Sequence, residues 1–368
     1  MMLKSSVPIR VPSRVLAPVV ERDNTGDFDM SLNKLLKATL SAAALFAVAG
    51  TAAHAEEWKF AHEESPGDVQ DLYAQEFKRL VEEKTNGDVN VTIYTYGQLG
   101  TENDITELTA AGAVQFSNAS PGHLGTFVPE IQVFGVPYLL SQDNEVNKKV
   151  LSSSPTIYEG LSKDFESKGL KLYTMYPEGE MVWTTKKAVE KPADFDGVKF
   201  RVMTSPILIE TYESFGADPV ALPWGEVYSG LQTSVVDAQV NPIFFIESAK
   251  FYEVTDHLIY AGQQQYTTTV VSNAAFYDGL SDERKEMLAE VKAELDDFIY
   301  DAQKKANEEA LARIKEAKPE IEVIRLTDEQ RAAFKEASKG VGASLVEEVG
   351  GDTEEVLNSL REEFGTAM

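Results

Sequence analysis

The sequence predicts an α/β protein of two lobes, and three observations carry the prediction. Strand-like segments alternate with amphipathic helical segments along most of the chain. No apolar run beyond the N-terminal region approaches the 18 residues of a membrane helix, and the length left after that region exceeds one compact domain. Alternating strands and helices imply a mainly parallel sheet covered on both faces. A cleft between the lobes and a long C-terminal helix complete the expected architecture.

The N-terminus reads as an export signal. From Met30 the chain runs MSLNKLLKATLSAAALFAVAGTAAHA, with Lys34 and Lys37 ahead of an apolar stretch from Ala38 to Ala49 and a small-residue end at Ala53-His54-Ala55. A basic segment, a short apolar core and an A-x-A site predict cleavage after Ala55 and a periplasmic mature protein beginning at Glu56. The apolar core is too short to span a bilayer. Residues 1–29 carry no periodic pattern and precede the better start at Met30, so they are set aside as a mis-assigned leader.

Past Glu56, EWKFAHEE is a short strand, and DVQDLYAQEFKRLVEEKTNG places Val69, Leu72, Tyr73, Phe77, Leu80 and Val81 on one helical stripe. VNVTIYTYGQLG alternates as a strand. A helix around Asp104 to Ala111, a strand VQFSNAS, the apolar stretch VFGVPYLL and a helix from Asn144 follow. A second α/β unit begins at LKLYTMYPEG and continues through MVWTTKKAV and VKFRVM. The next helix, SPILIETYESFG, carries Pro206 near its first turn and Gly216 as its C-terminal stop. ADPVALP is another strand and WGEVYSGLQTSV a short helix. A very long charged amphipathic helix runs from Ser281 to about Lys318, IEVIRL returns as a strand, and two acidic helices follow from Thr327. Residues 56–178 are assigned mainly to one lobe and 179–270 mainly to the other. Residues 271–368 supply crossover strands, the long helix and C-terminal helices that span both.

Composition excludes several function classes. Removing the first 55 residues takes away 6 of 34 Lys and Arg and 4 of 60 Asp and Glu, leaving 28 against 56 and a net charge of −28. Nucleic acid and anionic lipid are poor partners for such a surface. There is no cysteine, so neither a disulfide framework nor a thiolate metal site can exist. After Ala55 only His62, His123 and His257 remain as histidines. No H-E-x-x-H, G-x-S-x-G, Walker loop or strand-linked G-x-G-x-x-G occurs. The chain is therefore read as no enzyme, without cofactor or metal.

The segment from Asp196 to Pro242, DGVKFRVMTSPILIETYESFGADPVALPWGEVYSGLQTSVVDAQVNP, resembles the signature region of the solute-binding (DctP-type) proteins of tripartite ATP-independent periplasmic (TRAP) transporters. That family shows a Gly-Leu-Lys-x-Arg-Val strand, an lGa-P turn, a w-EvY-aLqtg-vDgqeNP helix and turn, and a long C-terminal helix in the same order. The resemblance extends over essentially the whole chain after Ala55. It implies the two-lobed periplasmic binding protein fold and a monomer that closes on an organic acid or zwitterion. It also implies delivery to a membrane permease of a small and a large subunit, with no membrane insertion of its own.

Arg201 matches the family arginine that binds the ligand carboxylate, and a planar guanidinium suits that role because it offers two parallel charge-assisted hydrogen bonds. Asn241 matches the asparagine of the NP turn that also holds the carboxylate; read alone, Asn before Pro is a turn residue. Within the family, AHEESPGDVQDLYAQEF, YPEGEMVWT and LPWGEVYSGLQT look most like the ectoine and hydroxyectoine binders. That likeness implies Glu63 opposite a cationic ring and Trp224 and Phe245 as aromatic walls, which add roughly 0.5–2 kcal/mol to a desolvated cation. Read alone, Trp224, Phe244 and Phe245 are core aromatics, and Glu63 one more acidic group. Met181 stands where dicarboxylate and sialic-acid members often place a second arginine, which argues against a second ligand carboxylate. Trp183, two residues along the strand, is a further candidate wall. DAQVNP departs from DGQENP by Ala238 and Val240, and His123 stands where the ectoine binders carry an aromatic residue. Asn118 and His123 are therefore expected to reshape the pocket floor towards a different acid. Rival readings are a keto, hydroxy or pyroglutamate-type monocarboxylate or a C4-dicarboxylate as ligand, an extracytoplasmic enzyme, and a sensor subunit.

Overall fold

The computed structural model describes residues 55–366; the leader and all but the last residue of the export signal lie outside the described residues. Nine strands form one sheet: β1 (Glu56–Ala61), β2 (Val89–Tyr94), β3 (Phe116–Ala119), β4 (Leu170–Thr185), β5 (Lys199–Val202), β6 (Asp218–Ala221), β7 (Ala238–Asn241), β8 (His257–Asn273) and β9 (Glu322–Arg325). Their order is β2-β1-β3-β8-β4-β7-β5-β6, with β9 beside β8. The sheet is mixed where the sequence predicts it mainly parallel. β1 with β2 and β3, β5 with β6 and β7, and β8 with β9 are parallel. The pairings of β3 with β8, β4 with β7 and β4 with β8 are antiparallel.

The two long strands cause this. β4 and β8 run antiparallel over 16 and 17 residues and cross from one lobe to the other. Their near ends, Leu170–Thr174 and Val270–Asn273, pair in the lobe of β1–β3, and their far ends, Val182–Thr185 and His257–Tyr260, pair in the lobe of β5–β7. Register shifts at Pro177/Gly179 and Glu180/Val182 mark the crossing. LKLYTMYPEG and MVWTTKKAV are thus one strand with bulges where Pro and Gly suggest a break.

Alternation along β4 and β8 sorts side chains between two cores, one on each face of the sheet. Met175, Met181, Trp183, Ile259 and Val271 face one; Tyr176, Val182, Leu258 and Val270 face the other. The helix Val69–Lys84 buries Val69, Tyr73, Phe77, Leu80 and Val81 against the second core, as the 3.6-residue period requires. The helix Pro206–Ser214 starts at Pro206 and gives way at Gly216, whose φ of +95° a residue with a Cβ rarely adopts.

The long helix spans Asp282–Ala317 with Ser281 as its N-cap, about 54 Å at 1.5 Å per residue. Leu288, Val291, Leu295, Ile299, Ala310 and Ile314 form its buried stripe. It reaches both lobes: Lys84 pairs with Glu290 and Glu294, Asn307 Nδ2 donates to the Glu178 carbonyl at 2.8 Å, and Arg313 pairs with Glu247. Three helices follow rather than two, Asp328–Ala337, Val341–Val349 and Thr353–Glu363; they pack against the first core. No helix among the described residues is long and apolar enough to cross a membrane.

Candidate functional site

The parallel strands of the two lobes present their carboxyl ends to a common cleft, where open α/β sheets bind ligands. Glu63 follows β1, and Glu102 opens the helix Glu102–Ala110, which Thr101 caps with Asp104 in a reciprocal capping box. His123 lies in the short helix after β3. From the other lobe come Arg201 on β5, Met203 just beyond it, Trp224 after β6, Asn241 at the end of β7 and Phe245 in the following helix, while Tyr266 comes from the β8 crossing. These residues line one space of about 260 Å³.

Arg201 is the pivot of the site. Its residue surface is 1 % exposed, and both Nε and Nη2 donate to the Leu222 carbonyl, at 3.0 and 2.8 Å. No carboxylate among the described residues lies within the 4.0 Å of an ion pair with it. Burial lowers its pKa to about 10, opposed by the charge of Glu102, so the guanidinium stays protonated at neutral pH. A buried cation without a counter-ion is expensive unless a partner arrives. The Leu222 carbonyl fixes the plane of the guanidinium that would meet that partner. Asn241 Nδ2 donates to Gln239 Oε1, which sets the side chain beside the cavity.

Glu63 supplies a group that takes the opposite charge once a cation meets it. Its Oε2 accepts from Ser120 N–H at 3.0 Å, whereas buried Oε1 has no partner. Burial, with the charges of Glu102 and Glu178, raises its pKa well above the usual carboxylate range. Trp224 and Phe245 meet edge-to-face with ring centroids 4.4 Å apart, and Tyr266 stands 6.2 Å from Phe245. His123 is held neutral: burial first, and then the charge of Arg201, lower its pKa to about 3.

The structure thus brings Glu63, His123, Arg201, Trp224, Asn241 and Phe245 together. It does not bring Trp183, Met181 or Asn118 to that space. Trp183 is a core residue, ringed by Phe195, Tyr212, Phe215 and Phe334, with Nε1 donating to Tyr212 Oη at 3.0 Å. The alternation that pairs it with Met181 holds, but the shared face is the packed one. Met181 lines an adjoining apolar space of about 320 Å³ with Phe134, Ile207 and Leu208, next to the cavity through Met203 and Tyr266. Asn118 is buried in β3, where its Nδ2 donates to Tyr176 Oη at 2.6 Å. Sequence reasoning missed Glu102, Met203 and Tyr266. A first-turn acid in a capped helix following a parallel strand is the signal that marks Glu102.

The family model described as bacterial extracellular solute-binding protein, family 7 (DctP) matches residues 60–348. The chain is 45% identical over 322 residues to the ectoine/5-hydroxyectoine-binding periplasmic protein UehA of Ruegeria pomeroyi, covering 88% of this chain and 94% of that one. It is 43% identical over 332 residues to the ectoine-binding periplasmic protein TeaA of Halomonas elongata, covering 90% and 96%. The solved structure of the periplasmic ectoine-binding protein from the TeaABC TRAP-transporter of Halomonas elongata superposes with a TM-score of 0.81 at 42% identity, covering 85% of this chain and 100% of that one.

Proposed function

The chain belongs to the DctP family of bacterial extracellular solute-binding proteins, and from that premise we propose that it captures an ectoine-type zwitterion in the periplasm for a TRAP permease. The observation that carries the reading is the pairing, around one space, of a buried Arg201 lacking an ion pair among the described residues with a buried Glu63 whose Oε1 is unpartnered. A compact solute bearing a carboxylate and a delocalised cation satisfies both at once. Arg201 and Asn241 take the carboxylate; Glu63 takes the cationic ring, with Trp224 and Phe245 as walls. Two carboxylates, Glu63 and Glu102, face one guanidinium, so a dicarboxylate would meet repulsion where its second charge must sit.

A thermal-shift panel tests this: ectoine, 5-hydroxyectoine, glycine betaine, pyruvate, pyroglutamate and succinate. A ligand at 100 times its Kd adds about 2.7 kcal/mol of stability. Stabilisation by ectoine or its hydroxyl derivative, absent in Arg201→Ala, is the expected result. Stabilisation by succinate or pyruvate alone would replace the ligand class while keeping the family.

A further inference from the structure

Away from the solute cavity, the C-terminal helices meet residues 136–139 around a space of about 350 Å³ that no carboxylate lines. Three cations line it, Lys335, Lys339 and Arg361, and Tyr138, Ser338 and Thr366 complete its polar wall. Lys339 pairs with Glu336, whereas Lys335 and Arg361, both half-buried, have no ion pair among the described residues. Acidic residues outnumber basic ones 60 to 34 in this chain, so a space walled by cations alone is not what its composition supplies. The three hydroxyls do not neutralise it. Each is committed as a donor to a backbone carbonyl: Tyr138 to Arg331 at 3.3 Å, Ser338 to Phe334 at 3.0 Å and Thr366 to Leu139 at 2.7 Å. Lys335 and Arg361 occupy the last turns of their helices, where the carbonyl ends offset part of each charge. The helix Val341–Val349 acts the other way. It begins two residues after Lys339 without a side-chain cap, and a Cβ on Gly342 in its first turn would lie 2.8 Å from Arg361 Nη2. Glycine is a poor helix residue, and here it makes room for the guanidinium. The start of a helix is its positive end, so a guanidinium held against it is repelled unless an anion joins them.

We propose that this space is a binding site for a small oxyanion of the phosphate or sulfate class, held by Lys335, Lys339 and Arg361. The guanidinium offers a planar pair of N–H donors to two oxygens of one anion, and the two ammonium groups add charge from the end of the neighbouring helix. The site shares no residue with the solute cavity. It is joined to the β4–β8 crossing instead, because Tyr138 N–H donates to the Gln263 carbonyl at 2.7 Å. A bound oxyanion therefore ties the three C-terminal helices to the crossing from outside the cavity.

Calorimetric titration of the purified protein with inorganic phosphate, in chloride buffer at constant ionic strength, tests the site in the wild type, Lys335→Gln, Arg361→Gln and Gly342→Ala. Circular dichroism confirms that each variant is folded. Phosphate raises the Tm of proteins generally by exclusion from their surfaces, so the binding isotherm is the readout and melting is not. One saturable site per chain is expected in the wild type. Loss of either cation should weaken it about tenfold, the scale of one charge-assisted hydrogen bond. Gly342→Ala removes no charge but sets a Cβ against the guanidinium, and should weaken phosphate comparably. Should Arg361→Gln fail to fold, Lys335→Gln and Gly342→Ala carry the same test. Absence of saturable binding by the wild type up to about 10 mM phosphate would overturn the site. Wild-type affinity in both Lys335→Gln and Gly342→Ala would overturn it as well, because the charge and the guanidinium position would then not matter.

Discussion

At the scale of single residues, two desolvated charges dominate. Glu63 is held well above the usual carboxylate range by burial and by two neighbouring carboxylates. A cation placed against its free Oε1 reverses that balance, because the charged form then has a partner. Binding of a zwitterion therefore releases a proton, and affinity rises with pH between the Glu63 pKa with ligand and the higher one without it. Calorimetry in buffers of different ionisation enthalpy should show this release, and Glu63→Gln should abolish it together with at least about tenfold of the affinity. Arg201 has a different constraint. Two of its nitrogens hold the Leu222 carbonyl, so orientation matters as much as charge. Arg201→Lys keeps a cation but cannot hold that carbonyl and present a paired N–H edge together. Its affinity should fall about 100-fold, a loss that titration would register.

At the scale of elements, buried carboxyls tie the loop after β1 to the β4–β8 crossing. Glu64 Oε2 accepts from Gln70 N–H, and the Gln70 amide reaches Glu178 and Thr268. Glu64 and Glu178 are close enough that burial and their mutual repulsion keep a proton between them. A raised pKa in the folded state means that the fold binds a proton the unfolded chain has released. Stability from this source is full below the unfolded carboxyl pKa of about 4.3 and is lost as pH rises through the folded value. Surface carboxylates have finished titrating by about pH 6. Tm should therefore fall as pH rises through about 7, the value to which burial raises Asp68, with Glu63, Glu64 and Glu178 contributing in the same direction. Glu178→Gln removes one carboxyl and should flatten that fall in a calorimetric pH series.

Elements differ in how far they could be read. The long helix is legible to within a residue at each end because Ser281 caps it and apolar residues recur along one stripe over most of its length. The sequence divides β4 into two strands because Pro177 and Gly179 look like terminators; in the structure they sit in bulges, and Gly179 at φ +130° lies against Asn307 of the long helix. β8 escaped notice because AGQQQYTTTVV has no two-residue alternation. A strand that crosses between lobes is covered on both faces and need not alternate. Tyr266 went unread with it. Glu63, Arg201 and Asn241, which the structure gathers around one space, stand out in the sequence because they lie at or near strand ends inside a recognisable motif. Trp183 was misplaced because alternation identifies a shared face without saying which face is packed.

At the scale of the molecule, the cavity walls come from both lobes and the anchoring groups are closed to solvent: Arg201, Asn241 and Glu63 are all buried. A solute cannot reach them unless the lobes part, and the β4–β8 crossing, with its two register shifts, is where the sheet can bend. The cavity charges favour parting when nothing neutralises them. Arg201 regains water, and so do the buried carboxyls of Glu63 and Glu102. A zwitterion reverses each of these preferences, so binding and closure are one equilibrium biased by the ligand's differential affinity for the closed form. Small-angle scattering should therefore give a larger radius of gyration without solute than with saturating ectoine, around the roughly 20 Å expected of a compact chain of this length. Arg201→Ala should keep the larger value at the same ectoine concentration. Equal radii with and without solute in the wild type would mean that the closed form predominates unliganded, and that solute enters by rare opening.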